Sequence, residues 1–503
     1  MSFNLISIAL LFIAAVIITF EVVRAISRGV KKAVITLVSI FISIFLAIII
    51  TLVASNSIIG AAMSILDRIS GLEVLYDRFP HFEEVVFAYA DAIISPILFV
   101  LLFILIRLII AITFAIIFKC KEKRSKGKKY ENEEAPAYKK NPKWISVVIG
   151  VLSGFIVSVV LFMPIVGTLK IGATAATKVN ETSDAFNFKI KKSSVNALET
   201  LSNDLVGNVF YYSGGVLIYK ATATSTLNGN HFELEEEIVD SLEGIDDLLN
   251  VGIIISDVGN TTDEEKEVLS TVGEKINSCE TLKLVGADFI SDLAKRWLVA
   301  EKYYNIPKPQ VGNASEVFFD KMLYVCKSTT HEYVGADITT LLNVYLLAEE
   351  HGILNTQDYK KLVETANRTG AFTEIKEELA KNKRMQGVSM EIDNMAVRAV
   401  ASAVNSFSDE DYVAITTDVT KTLNSALQYT DKGDRVKYIT KYLETHINEH
   451  DIDVGKDITE ELAKKLSDEL LMDSSKTVTE EDVNKFWEEY TLTKGELDEM
   501  SGS

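Results

Sequence analysis

Cysteine, proline and tryptophan are scarce in this chain of 503 residues, which has three cysteines, seven prolines and three tryptophans. Three cysteines are too few for a disulfide framework, and none belongs to a CxxC pair of the kind that binds zinc. Cys279 and Cys326 either pair in an oxidising compartment or are buried thiols. Only Pro307 and Pro309 occur after residue 170, so long stretches are open to helix formation.

Positive charge is also in short supply, because 51 basic residues face 70 acidic residues and the net charge is −19. The charge is unevenly distributed. Residues 1–170 contain 18 basic and 11 acidic residues, whereas residues 171–503 carry a net charge of −26. Nucleic-acid binding requires a clustered positive surface, so this composition argues against it. A basic, apolar part therefore precedes an acidic, water-soluble part.

Charged residues are nearly absent from four long apolar segments in the first part of the chain. The segments are 3–20, 33–54, 93–118 and 145–168. A helix needs about 20 residues to cross a hydrocarbon core of about 30 Å. We therefore predict a domain of four transmembrane helices over residues 1–170. The first segment lacks the basic start and the cleavage site of a secretory signal, which favours a retained helix.

The short loops predict the orientation of these helices. The first and third loops together contain 14 Lys and Arg residues, whereas the second contains only Arg68 and Arg78. Because Lys and Arg accumulate in cytoplasmic loops, the first and third loops are expected in the cytoplasm. The N-terminus and the whole acidic half are then expected outside the cytoplasm.

Arg107 is an ionisable residue inside the third predicted span. It precedes Lys119 by twelve residues, which corresponds to about 18 Å of helix. A charge at this depth is costly unless it snorkels, faces water or forms a pair. Glu21, which borders the first span, is the acidic residue available for such a pair. Arg107 is thus either paired with Glu21 or accommodated by packing and snorkelling.

The fourth predicted span carries small residues at a spacing of four, namely Ser146, Gly150 and Gly154. Small residues at this period form one smooth helix face, which another helix can approach closely. The face serves either packing among the four helices or the formation of a homo-oligomer.

Two short motifs in the membrane part resemble a known family. They are RAISRGVKKAVITLVS after the first span and NPKWISVVIGVLSGFIVSVVLFMPIVG in the last one. Together with the number and spacing of the helices, they resemble the colicin V production (CvpA) family over residues 1–170. The matching positions are Arg28, Gly29, Lys31, Lys32, Gly150, Gly154 and Pro164.

The resemblance implies a multi-pass protein of the bacterial inner (plasma) membrane. Members of the family are linked to production or export of the peptide toxin colicin V and to envelope homeostasis, and they have no established molecular activity. The long acidic extension of this chain departs from the compact four-helix members of the family.

The acidic half is predicted to be mainly α-helical. Ser, Thr or Asn precedes acidic residues in TTDEEKEV, NTQDYKKL, SFSDEDYV and TVTEEDVNKF, as is typical of helix starts, and Gly352 marks a helix end. We predict helical subdomains over 171–305 and 313–490, a linker over 306–312 and a flexible tail over 491–503. The segment VFYYSGGVLIYKATATST is expected to form a short β-hairpin at Gly214-Gly215 or an apolar membrane-proximal patch. The fold class is an all-α membrane protein.

Sequence motifs for catalysis are hard to find in this chain. No phosphate-binding or nucleophile-elbow motif is evident. The segment HINEH fits the bare HxxEH pattern of zinc peptidases, since His446 and His450 share one helix face. No third ligand can be assigned, so the two histidines are metal candidates only, and no catalytic residue or cofactor is predicted.

The expected function is that of a non-enzymatic scaffold or assembly factor, with the lipid bilayer and envelope proteins as partners. One alternative is an oligomeric channel or transporter, in which Arg107 and the small-residue face of the fourth span line a path. A second alternative is an extracellular sensor.

Overall fold

The computed structural model describes residues 5–66, 76, 79–126, 143–181, 190–299, 308–450, 452–472 and 476–491. These residues are almost entirely helical, with two short β-strands. The chain forms two compact units. The first comprises Met1–Asp246 with Cys279–Thr281, and the second comprises Asp247–Ser278 with Leu282–Ser503.

The first unit begins with three long helices, α1 (Leu5–Leu66), α2 (Phe82–Lys126) and α3 (Lys143–Glu181). Shorter elements follow: α4 (Lys192–Ser202), α5 (Leu205–Phe210), a π-helical turn (Tyr211–Gly215), α6 (Val216–Thr222), β1 (Thr224–Leu227), β2 (Asn230–Glu233) and the start of α7 (Leu234–Ile254).

Three helices in the described part of the chain are long and apolar enough to cross a membrane. They span Ser7–Ser55, Phe82–Ile117 and Lys143–Glu181. Each also exposes large apolar side chains, as shown by Phe12, which is 70% exposed, and Leu101, which is 60% exposed. Such surfaces are suited to lipid and unsuited to water. The chain is a membrane protein. The four separate spans are not confirmed, because the first two predicted spans belong to one element.

Gly29 breaks this element. Its dihedral angles are φ 75° and ψ 164°, and they separate helical residues 5–28 from helical residues 30–66. Glycine adopts positive φ without the steric cost that a Cβ atom would impose. The apolar stretch of 49 residues would be about 70 Å long if it were straight, more than twice the thickness of a bilayer core.

The small residues of α3 pack against the first half of α1. A Cβ atom at Gly150 would lie 2.6 Å from the Cα atom of Val22, and one at Gly154 would lie 2.6 Å from the Cα atom of Ile18. Ser146, 3% exposed, lies one turn before Gly150. The predicted smooth face is therefore used for packing within the chain.

The predicted hairpin at Gly214-Gly215 is not formed there, because this segment is helical. Tyr211, Gly215 and Tyr219 recur every four residues, and both tyrosines are buried. A Cβ atom at Gly215 would approach the side chain of Met163 at 3.4 Å, so this helical face packs on α3. Burial against α3 outweighs the β propensity of the aromatic and β-branched residues. The two antiparallel strands, β1 and β2, come later and pair Thr224 with Glu233.

The boundary predicted after residue 170 does not coincide with the division into units. Helix α3 continues beyond this point to Glu181, and residues up to Asp246 cluster with the membrane helices. Residues 300–307 and 492–503 are outside the described part, and with them lie part of the predicted linker and most of the predicted tail. Residues 308–312 are non-helical.

The second unit is built of helices alone in its described residues. They are the end of α7, α8 (Asp263–Ser278), α9 (Glu280–Leu298), which begins in the first unit, α10 (Asn313–Lys327), α11 (Val334–Glu350), α12 (Tyr359–Thr369), α13 (Ala371–Lys381), α14 (Gln386–Asn405), α15 (Asp409–Ala426), α16 (Lys432–Glu449), α17 (Lys456–Leu470) and α18 (Glu480–Tyr490).

Helix ends in this unit follow the predicted signals closely. Ser408 caps α15, and Thr479 forms a capping box at α18. Gly352 has a φ of 70° just after α11 ends. In NTQDYKKL, however, the capping side chain is Asp358, which accepts from the amide of Lys360, rather than the Asn or Thr.

A buried polar cluster joins three segments of the second unit. Asp337 of α11 is fully buried, and its carboxylate pairs with Arg384 and accepts hydrogen bonds from Thr329 at 2.6 Å and from Asn382 at 3.0 Å. The neighbouring Cys326 thiol is fully buried, and burial raises its pKa to about 12. Asp337, Thr329, Asn382 and Arg384 thus satisfy one another's hydrogen bonds, as buried polar groups must.

Candidate functional site

An ion cluster forms where α1 and α2 meet. The carboxylate of Glu21 accepts a hydrogen bond from Arg107 and another, at 3.3 Å, from Nη1 of Arg24. Glu21 is only 4% exposed. A lone carboxylate among apolar helices would be costly, so the two guanidinium groups are needed to compensate its charge. Of the two alternatives predicted for Arg107, a pair with Glu21 or accommodation by packing and snorkelling, the structure shows the pair.

Beside this pair lies a cavity of about 160 Å³ with a basic lining. Its residues are Arg24, Arg28, Lys32, Ile35, Thr36 and Ser39 of α1, and Arg107, Ala111, Phe114 and Ala115 of α2. Four cations thus surround the space, and Glu21 is the carboxylate paired with two of them.

The break at Gly29 is what places cations from both halves of α1 around one cavity. Arg28 precedes the glycine and Lys32 follows it by three residues, and both line the cavity. Arg107 approaches from α2 at the same level. The sequence predicts Arg107 deep in the membrane, away from the cations of the first loop, whereas in the structure Arg107 lines one cavity with three of them.

Comparisons with protein-family models, with curated proteins and with solved structures give no match. The resemblance to the CvpA family therefore stays a prediction, carried by the motifs in the sequence. Its positions have clear structural surroundings. Gly29 forms the break in α1, Gly150 and Gly154 contact α1, and Pro164 is buried inside α3.

At the far end of the same helices, buried polar side chains connect the membrane part to the segment that follows it. Asp204 is 2% exposed and accepts hydrogen bonds from Ser7 of α1 and, at 2.6 Å, from the amide of Gly207. The second of these caps α5. Leu10 and Phe162 pack with Val206 beside it. Asp204 therefore both starts α5 and fixes it to the beginning of α1.

Helix α2 has two such attachments near its start. Asp91, 5% exposed, accepts from Ser95 at 2.8 Å and from Ser225 of β1 at 2.9 Å. The hydroxyl of Tyr89 lies 2.9 Å from those of Ser241 and Thr281. These contacts join α2 to the hairpin, to α7 and to α9.

Sequence reasoning missed this group of attachments. Asp204 precedes the apolar turn LVGNVF, which is a helix-start signal that could have identified its capping role. Asp91 lies two residues outside the predicted third span, so it was treated as part of a loop. Its partner Ser225 carries no signal that sequence alone provides, because the pairing depends on how the chain returns to α2.

The histidines of HINEH lie at the end of α16. His446 and His450 each approach Asp418 at 4.0 Å, and His446 lies 3.2 Å from Glu449. Among the described residues, no group of three or more His, Cys, Asp or Glu side chains is arranged to hold a metal ion. The two histidines thus share Asp418 as a neighbour, and the arrangement provides no metal-binding group among the described residues.

The cysteines predicted to pair or to be buried are both buried. Cys279 and Cys326 are 0% exposed and form no disulfide with each other. Cys279 lies 3.2 Å from a carboxylate oxygen of Glu237, which also accepts from the amide of Thr281. The side chain of Cys120 is outside the described part of the chain.

Proposed function

We propose that this chain is a four-crossing protein of the bacterial cell membrane that acts as a non-enzymatic scaffold or assembly factor of the envelope. The observation that carries the proposal is the set of buried attachments between the membrane helices and the segment after them. The hydrogen-bonded pairs are Ser7 with Asp204, Asp91 with Ser225, and Tyr89 with Ser241. The elements of the first unit that are attached in this way are held against the membrane helices, which suits the presentation of a binding surface.

Four crossings are supported by Gly29. Residues 7–28 and 30–55 are each long enough to cross a bilayer core, and one straight helix of 49 residues is not accommodated by it. The break in α1 also lies among the cations of the predicted first loop. Cations at a boundary between two spans are expected on the cytoplasmic side.

The distribution of contacts along the helices supports the predicted orientation. Arg24, Arg28 and Lys32 lie around the Gly29 break in α1, and Arg107 of α2 lies beside them. The attachments to Asp204 and Ser225 involve Ser7 and Asp91, which lie nearer the starts of α1 and α2. With the cations on the cytoplasmic side, the acidic half lies outside the cytoplasm. The proposed link of this protein to toxin production or envelope homeostasis rests on its resemblance to the CvpA family.

A topology experiment tests this proposal. Alkaline phosphatase and a fluorescent protein that matures only in the cytoplasm are fused in turn after Ser503 and within residues 127–140 of the predicted third loop. Phosphatase activity at the C-terminus and fluorescence in the loop are expected. The reverse pattern would place the acidic half in the cytoplasm and overturn the proposed orientation.

A second experiment separates the scaffold from a channel or transporter. The full chain is reconstituted in liposomes, and ion flux is compared for the native protein and the Arg107→Leu variant. The scaffold predicts no flux above that of empty liposomes in either case, together with specific crosslinked envelope proteins in cells. Flux that is abolished by Arg107→Leu would favour the channel.

A homo-oligomer that forms through Gly150 and Gly154 would have to displace α1 from this face of α3.

A further inference from the structure

We propose that the cavity between α1 and α2 binds the phosphate group of an anionic phospholipid. The first observation is charge. Arg24, Arg28, Lys32 and Arg107 line one cavity. Glu21 compensates one of these charges through its contacts with Arg24 and Arg107. Among the residues that the structure describes, Arg28 forms no direct ion pair, although the charge of Glu21 acts on it from a distance.

The second observation is size and shape. A cavity of about 160 Å³ has room for several water molecules or for one phosphate group. Arg24 and Arg107 lie at the inner side, with side chains 19% and 18% exposed. Arg28 and Lys32 are exposed at the rim. Guanidinium groups at the inner side and exposed cations at the rim suit an oxyanion that enters from outside.

The third observation points to a lipid as the source of the phosphate. Large apolar side chains of α2 continue past Arg107 and are exposed, as seen for Leu108, Ile112 and Ile116, which are 56%, 52% and 58% exposed. On α1, Val23 is 60% exposed one residue before Arg24. The basic cavity therefore opens beside surfaces that acyl chains cover. Basic pockets between membrane helices are known to bind the head groups of anionic lipids.

The test uses the full-length protein in zwitterionic detergent. Phosphatidylglycerol, phosphatidylcholine and inorganic phosphate are added separately, and the thermal unfolding midpoint is recorded against ligand concentration. Phosphatidylglycerol is expected to raise the midpoint in a saturable manner. Phosphatidylcholine and inorganic phosphate are expected to have no saturable effect. Equal stabilisation by inorganic phosphate would overturn the assignment to a lipid, and no stabilisation by any ligand would overturn the site.

Two double variants locate the binding. Arg28→Gln with Lys32→Gln removes two cavity cations, and we expect it to weaken phosphatidylglycerol binding about tenfold relative to the control. The control, Lys31→Gln with Lys143→Gln, removes two exposed cations that do not line the cavity. Equal loss in both variants would mean that only the general charge of this surface attracts the lipid. Arg28→Lys with Lys32→Arg keeps the charges and must retain binding, so its loss would also contradict the proposal.

Discussion

Gly150 of α3 lies so close to Val22 of α1 that a Cβ atom on the glycine would be 2.6 Å from the Cα atom of the valine. Real Cβ atoms do not approach backbone atoms to this distance. Because the neighbouring atom belongs to a helix backbone, it can move away only if the two helices separate. The α1–α3 contact thus depends on the absence of a side chain at one position.

We expect Gly150→Ala to lower the thermal unfolding midpoint of the protein in detergent, with a cost of about 1–3 kcal/mol from overpacking. Gly172→Ala is the matched control on the same helix, where a Cβ atom would have no atom within 4 Å. The control should be neutral or slightly stabilising, because alanine favours helices over glycine. Equal effects of the two substitutions would contradict the close α1–α3 packing.

Replacing Glu21 by Gln should destabilise the membrane part, because Arg107 loses its charged partner inside the protein. Breaking a buried ion pair in this way costs about 3 kcal/mol or more. The double variant Glu21→Gln with Arg107→Gln should be more stable than Glu21→Gln alone. Unfolding free energies of the native protein, Glu21→Gln, Arg107→Gln and the double variant form a double-mutant cycle, and additive effects would show that the pair has no coupling energy.

Asp204→Ala should release α5 from the start of α1. The substitution removes the cap of α5 and the hydrogen bond from Ser7, which together contribute about 2 kcal/mol. We expect faster cleavage by trypsin at Lys191 and Lys192, which are exposed just before and at the start of α4. Ser408→Ala removes a helix cap elsewhere and serves as the control, since it should leave the cleavage rate at these lysines unchanged.

Arg384→Met should strongly destabilise the second unit. The substitution leaves the fully buried carboxylate of Asp337 without its cation, at a cost of about 3–5 kcal/mol. Lys421→Met is the control, because its pair with Asp418 is exposed and contributes less than about 1 kcal/mol. Denaturant unfolding followed by circular dichroism measures both, and similar midpoints for the two variants would refute a structural role for the Asp337 cluster.

Cys326 should resist alkylation in the folded protein. Burial raises its pKa to about 12 from an ordinary value of 9.0, so the thiol stays protonated at pH 8 and the reactive thiolate is scarce. At pH 8 this lowers the thiolate fraction about a thousandfold. Maleimide labelling in a Cys120→Ser background, followed by mass spectrometry, measures the rate. Labelling that is as fast in the folded protein as in denaturant would contradict the burial.

Features that depend on local pattern could be predicted from the sequence. Long apolar runs predicted membrane helices, the spacing of Gly150 and Gly154 predicted a close helix contact, and Ser408 and Thr479 were correctly placed at helix starts. Four separate spans are not confirmed, because the loop predicted between the first two spans is replaced in α1 by a break at a single residue, Gly29.

Features that depend on long-range contacts were not predictable in the same way. The aromatic residues around Gly214 have β propensity, but their burial on α3 determines a helical backbone. The pair of Glu21 and Arg107 was one of two readings, since the sequence does not give the relative height of two helices. The shared cavity of Arg28, Lys32 and Arg107 was not predictable for the same reason. It depends on the position of α2 along the axis of α1, which the sequence does not give.

The contact between Ser7 and Asp204 joins residues that are 197 positions apart. At typical rates of synthesis of about 5–20 residues per second, the ribosome needs roughly 10–40 s to produce the second partner after the first. During this interval the first helix has already emerged, yet its polar contact to α5 cannot exist. The membrane part of this protein is therefore completed late, and a nascent chain that stops before residue 204 leaves it unfinished.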